Sequence, residues 1–230
     1  MTKNISRSDG IYREVKEMAA RFDFKPDARI NESELSLRLN VSRTPLREAL
    51  NRLASEGFLT YQSGQGFFCR SLNPLEIRNL YEARAAIEAE AVRLATDRAS
   101  DAELEDLNQF ITDARATYRP GTSPVELVRQ DQDFHLRLAH LSGNGELLKL
   151  LENINARIHY IRLIDLQAMS EQRGGQDLDN QSHERIVAAM RARDRIAASQ
   201  QVRDHIEERL SEVTNNVKRA FSQIYVPQAS

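Results

Sequence analysis

Residues 31–55 read NESELSLRLNVSRTPLREALNRLAS, and their pattern decides the fold of the first third of the chain. Asn31 can cap a helix, with Glu34 three residues on to complete a capping box. Leu35 and Leu39 then face one side, Asn40 stops the helix and Val41 is a buried turn residue. Ser42 can cap a second helix, in which Leu46, Leu50 and Leu53 repeat at the helical period. Gly57 ends it as a left-handed cap. Two short helices with so tight a connection make a helix-turn-helix.

Arg43, Thr44 and Arg47 fall in the first turns of the second helix, off its leucine stripe. In a recognition helix those turns reach base edges and phosphates. Arginine offers a two-pronged fork to guanine, and threonine can meet a phosphate or a thymine methyl. Taken alone, the same face reads equally as an arginine pair turned to solvent. The flanking sequence adds to it. Residues 58–69, FLTYQSGQGFFC, read as strand, turn and strand, a β-hairpin in which Gly64 and Gly66 supply positive φ and allow close approach to a phosphate. Residues 6–22 supply a helix before the pair, with Ile11, Val15 and Met18 on one face. Helix, helix-turn-helix and hairpin in that order make a winged helix.

The 230 residues suit one or two domains and can bury a sizeable core. No apolar run approaches the roughly 18 residues of a membrane span, and MTKNISRSDGIYREV has no apolar signal core, so a cytoplasmic protein is expected. Cys69 is the one cysteine, which excludes an internal disulfide; in the run Gly66-Phe67-Phe68-Cys69 it reads as a small buried residue. The net charge of −2 hides a mild asymmetry: residues 1–72 carry 12 Lys/Arg against 9 Asp/Glu, the remainder 20 against 25. That difference alone does not argue for nucleic acid.

Leu72-Asn73-Pro74 marks a boundary, with Asn73 as cap and Pro74 at the first helical position, dividing the chain into domains 1–72 and 73–230. The second reads as helix throughout, in six segments: 74–97, 100–117, 124–141, 145–170, 178–193 and 195–221. Ser100 with Glu103, Ser123-Pro124 and Asn144 signal starts, the Gly174-Gly175 loop separates the fourth and fifth segments, and YVPQAS reads as a frayed tail. The fold class is mostly α, a winged helix-turn-helix followed by an all-α antiparallel bundle.

Chemistry concentrates in QDQDFHLRLAH, residues 130–140. Asp131 and His135 are four apart and stack on one helix face, whereas Asp133 points roughly the opposite way. His183 and His205 lie 22 residues apart, with a break near Arg193-Asp194 midway, so an antiparallel helix hairpin sets them side by side. One Asp and three His from three helices suit a divalent metal; the competing reading is four ordinary surface or core residues. Arg84 interrupts the apolar stripe Leu80, Ile87, Ala91 and Leu94. A buried arginine needs a partner, either an anionic ligand or a nearby carboxylate such as Glu88. Asn155, His159 and Arg162 share one face of the fourth segment and could line the same cavity or form a polar outer face.

The stretch VSRTPLREALNRLASEGFLT resembles the DNA-binding signature of GntR-type bacterial transcriptional regulators over about residues 8–70. DQDFH, then SHERIVAAMRARD, then RDHI, is similar to the FCD ligand-binding domain of the FadR-like branch. The first resemblance implies that Arg43, Thr44 and Arg47, with Ser42 at the head of the helix, contact operator DNA, and that the Gly64–Gly66 wing tip enters the minor groove. Ser33 stands where the family often has a basic residue, and Pro26-Asp27 where it usually has Pro-Gly. The second implies Asp131, His135, His183 and His205 as ligands of zinc, or of nickel or manganese, and Arg84 facing an effector pocket. Six segments look more like the VanR-type subgroup than the seven-helix FadR type. The expectation is a homodimeric repressor on a palindromic operator, controlled by a small organic acid bound beside the metal. The alternatives are a metal-dependent hydrolase, or a metal that serves structure alone in a dimerising domain.

Overall fold

The computed structural model describes residues 7–117, 122–172 and 181–225, and buries most of the apolar positions named above, with Leu39, Val41, Ile87 and Leu94 half-buried. Helix α1 (Arg7–Ala20) buries Ile11, Val15 and Met18 against α3 (Arg43–Ser55), which turns Leu46, Leu50 and Leu53 inward. Between them lies α2 (Glu32–Arg38), capped by the Asn31 side chain, which accepts from the Ser33 and Glu34 amides. Asn40 ends α2 in the left-handed region at φ 51°, with Asn40 N bonded to Leu37 O and Val41 N to Ser36 O. Gly57, at φ 79°, ends α3 by the same double bond pattern, to Ala54 and Leu53. Ser42 occupies the cap position of α3, but its side chain makes no capping bond, correcting the reading of it as a side-chain cap.

Strands β1 (Leu59–Gln62) and β2 (Gly66–Cys69) pair antiparallel with Tyr61 opposite Phe67. Gly64 and Gly66 adopt φ of 74° and 96° at the turn, where an L side chain would be strained. A third short extended piece joins β2 on its other edge: Ile30 N bonds Phe67 O and Cys69 N bonds Ala28 O.

The chain separates into two compact units, one running to Asn73 and including the end of the final helix from Phe221, the other Pro74–Ala220. The second holds helices α4 (Pro74–Arg98), α5 (Asp101–Thr117), α6 (Pro124–Leu141), α7 (Gly145–Gln172), α8 (Gln181–Arg191) and α9 (Arg195–Glu207). Helix α4 is central and packs along α9, α6 and α7; α6 also packs on α7, and α8 on α9. Ser100 and Glu103 form a reciprocal capping box at the head of α5. The α8–α9 corner is fixed from outside. Arg193 takes a left-handed φ of 59°, and its guanidinium donates to the Thr96 and Ala99 carbonyls at the end of α4.

The last segment differs from its expectation. Instead of one helix over 195–221, α9 ends at Glu207, a 3₁₀ turn spans Leu210–Glu212, and α10 runs Val213–Tyr225. Buried positions 198, 202, 205 and 206 continue into 213, 216, 217 and 220 in helical phase, so periodicity alone does not reveal the break. The described residues of this part therefore form seven α-helices, and helix number no longer favours the VanR type over the FadR type. The Gly174-Gly175 loop and the YVPQAS tail beyond Tyr225 lie outside the described residues.

Candidate metal centre and DNA-reading face

Asp131 and His135 come from α6, His183 from α8 and His205 from α9, and their ligand atoms all lie within 4.8 Å of one another. Asp131 Oδ1 is 3.9 Å from both His135 Nε2 and His183 Nε2, and the Nε2 atoms of His183 and His205 are 3.3 Å apart. All four residues are buried, His135 completely. Asp131 Oδ2, His135 Nε2 and His205 Nδ1 are buried without a hydrogen-bond partner. Orphaned buried polar atoms carry a cost unless something meets them. Donors around a metal ion stand roughly 3–3.5 Å apart for bonds of about 2.0–2.2 Å, so modest side-chain adjustment closes this set on an ion. Three imidazole nitrogens and one carboxylate suit a first-row divalent cation.

The electrostatics favour the same chemistry. Burial, reinforced by His135, pushes His183 down to about 3, and burial likewise lowers His205, so both rings are neutral donors at neutral pH. Burial alone would raise the Asp131 carboxyl, but Arg162, with His135, Arg84 and His183, together outweigh it and hold the group ionised. Arg162 Nη2 lies 2.9 Å from Asp131 Oδ1, and its Nη1 donates to Asp165 Oδ2 at 2.6 Å. Asp165 in turn accepts from Asn216 of α10 at 3.0 Å. Glu88 of α4 bonds His135 Nδ1 and accepts from Arg84 Nε at 2.6 Å. With Nδ1 engaged, Nε2 of His135 is left to face the other three ligands, the carboxylate–histidine arrangement common at metal sites.

Histidines aside, the buried acidic and basic residues described in this unit are Arg84, Glu88, Asp131, Arg162 and Asp165.

Of the other residues named from sequence, Arg84 is buried and paired with Glu88, yet its Nη2 has no partner. Asn155 is 4 % exposed, with neither its amide nitrogen nor its side-chain oxygen bonded. Arg162 is committed to the two aspartates, and half-buried His159 faces Gln132 through Nδ1 at 3.4 Å. Asp133 is held by Arg129, and His140 is exposed, so neither joins the cluster. Sequence reasoning missed Glu88 as a partner of His135, and missed Asp165 and Asn216 altogether. Their signal was a buried acidic or amide residue within a helix, which spacing alone does not separate from a solvated one.

In the other unit, Ser42, Arg43, Thr44 and Arg47 are all exposed at the head of α3. Arg43 Nη2 donates to Ser33 Oγ at 3.0 Å, and Arg47 Nε lies 3.8 Å from Glu32 Oε2. Gly64 at the wing tip borders open space. No helix among the described residues is long and apolar enough to cross a membrane.

Comparison with known proteins matches each of the two units to a family. Residues 7–69 match the family described as bacterial regulatory proteins, gntR family, and residues 79–208 match the FCD domain. The chain is 39 % identical to the Nta operon transcriptional regulator of Aminobacter aminovorans over 208 residues, covering 90 % of this chain and 95 % of the relative. It is 33 % identical to the HTH-type transcriptional regulator YdhC of Bacillus subtilis, covering 84 % and 85 %. Among solved structures, E. coli McbR/YncC shares the fold with a TM-score of 0.69 at 20 % identity, covering 90 % of this chain and 97 % of that one. These families and relatives are transcriptional regulators, not enzymes. The chain belongs to the gntR family of bacterial regulatory proteins, in the FadR-like branch that carries an FCD domain, and is a transcriptional regulator of that type.

Proposed function

We propose that the FCD unit holds a divalent metal, zinc in the first instance, through Asp131, His135, His183 and His205, and senses a small organic acid beside it. The carrying observation is the unmet demand inside the bundle: Asp131 Oδ2, His135 Nε2 and His205 Nδ1 are buried without partners, as are Arg84 Nη2 and the Asn155 side-chain amide. A bound divalent ion would supply Lewis-acid anchoring for one oxyanion. Glu88 fixes the His135 tautomer, Arg162 clamps Asp131, and Arg84 and Asn155 offer donors to the incoming anion.

The winged helix reads a palindromic operator as a homodimer, with Ser42, Arg43, Thr44 and Arg47 at the major groove and the Gly64–Gly66 wing at the minor groove. The effector biases two arrangements of the regulator that differ in operator affinity, and the working expectation is a repressor released by its ligand. Linkage makes the coupling reciprocal: operator DNA must weaken effector binding by the factor by which effector weakens DNA binding.

A second reading, a metal that only holds the bundle together, draws support from the Arg84–Glu88 pair, which engages the arginine internally. A thermal-shift screen of small carboxylates, run with and without a chelator, separates the two. An effector at a hundred times its Kd adds about 2.7 kcal/mol of apparent stability to the form that binds it. The sensing reading expects stabilisation by at least one carboxylate in the metal-loaded protein alone. It also expects that response to vanish in Asn155→Leu, which breaks no bond to the Asn155 side chain. Stabilisation by metal but by no carboxylate would leave the structural reading standing.

A further inference from the structure

We propose that Arg29 is a DNA-phosphate contact of the winged helix, delivered by the short extended piece on the edge of β2 rather than by the helix-turn-helix. The inference rests on the reading of this face as the DNA-binding surface. Residues 28–30 pair with β2 through Ala28 O and Ile30 N, so side chains alternate across that piece. Ile30 goes into the core at 5 % exposure, and Arg29 between these two bonds is exposed. Its guanidinium lies beside the start of the wing's second strand: a Cβ at Gly66 would meet Arg29 Nε and Nη2 at 3.9 Å.

Arg29, Glu32, Ser33, Arg43 and Arg47 line one concavity of about 500 Å³. That lining holds three arginines against a single carboxylate, Glu32, which lies 3.8 Å from Arg47 Nε. Arg29 makes no ion pair among the described residues. A concave surface with an excess of two positive charges, next to the head of a recognition helix, fits a polyanion. The position of Arg29 selects phosphate over base. Arg29 sits on an edge piece outside the helix that enters the major groove, and most contacts to DNA outside that helix fall on phosphate and sugar. Arg29 also supplies the positive charge on this face that Ser33 does not.

The test is the salt dependence of binding to labelled random-sequence DNA duplex and to a duplex selected by the wild-type protein. Losing one phosphate contact lowers the slope of log K against log salt by about 0.9 per chain, whatever the sequence. Arg29→Ala should show that loss on both duplexes, and Arg29→Lys, which keeps the charge, should retain the wild-type slope. Arg29→Gln gives the same reading should the alanine variant melt early. An unchanged slope in Arg29→Ala, or a loss on the selected duplex alone, overturns the assignment while DNA binding stands. A wild-type protein that binds neither duplex overturns both readings.

Discussion

Glu88→Gln tests how the proposed metal centre is built, because this buried carboxylate serves two partners at once. Its Oε1 accepts from Arg84 and its Oε2 bonds His135 Nδ1. Glutamine keeps the shape but has one oxygen, and its NH₂ would face a donor on either Arg84 or His135. Either way Arg84 loses its carboxylate and is left as a buried uncompensated charge, at a cost of about 3–5 kcal/mol. Serving Arg84 frees the His135 ring to turn, and loss of such a supporting bond costs about 10–100-fold in metal affinity. Both effects are read on metal-stripped protein: urea unfolding gives the stability, since midpoint times slope is the free energy, and competition with a chromophoric chelator gives the affinity. The double variant Arg84→Met/Glu88→Leu separates them. Replacing both members of a buried pair by apolar side chains is often neutral or stabilising, so the double variant should recover most of the stability lost in Glu88→Gln. His135 has still lost its orienting carboxylate, so the affinity deficit should persist. Wild-type metal affinity in both variants would refute the positioning role of Glu88.

Two further outcomes follow from the winged-helix unit. Arg47→Ala should lose operator binding with an unchanged circular dichroism spectrum, because the side chain is exposed and its nearest ion-pair partner, Glu32, is 3.8 Å away; unchanged affinity would remove it from the reading face. Burial pushes the Cys69 thiol up to about 12, so the native protein should resist a thiol-reactive disulfide reagent at pH 8 and react only on unfolding. Rapid native labelling would contradict the packing described for β2.

Much of the architecture was legible because it depends on short-range rules. Asn31, Asn40 and Gly57 mark helix ends by local hydrogen bonding and positive φ, and the leucines of α3 declare their buried face by spacing. The four clustered residues were legible for a similar reason, being an i, i+4 pair and a symmetric hairpin. What escaped depends on tertiary placement. The bond between His135 and Glu88 spans 47 residues and two helices, and no pattern within either helix announces it. Asp165 and Asn216 look like solvated helix positions until α7 and α10 are packed. The 28–30 edge piece is too short for alternation to register. The break after Glu207 is hidden because the buried stripe stays in phase across it.

The account turns most directly on whether Asp131, His135, His183 and His205 hold a metal. Elemental analysis of protein purified without added metal, wild type beside His183→Ala, decides it, with circular dichroism confirming the fold of each. The account predicts a stoichiometric divalent ion in the wild type and a large loss of occupancy in His183→Ala. Full occupancy in the variant, or a folded wild type that takes up no divalent ion even when one is supplied, would contradict it.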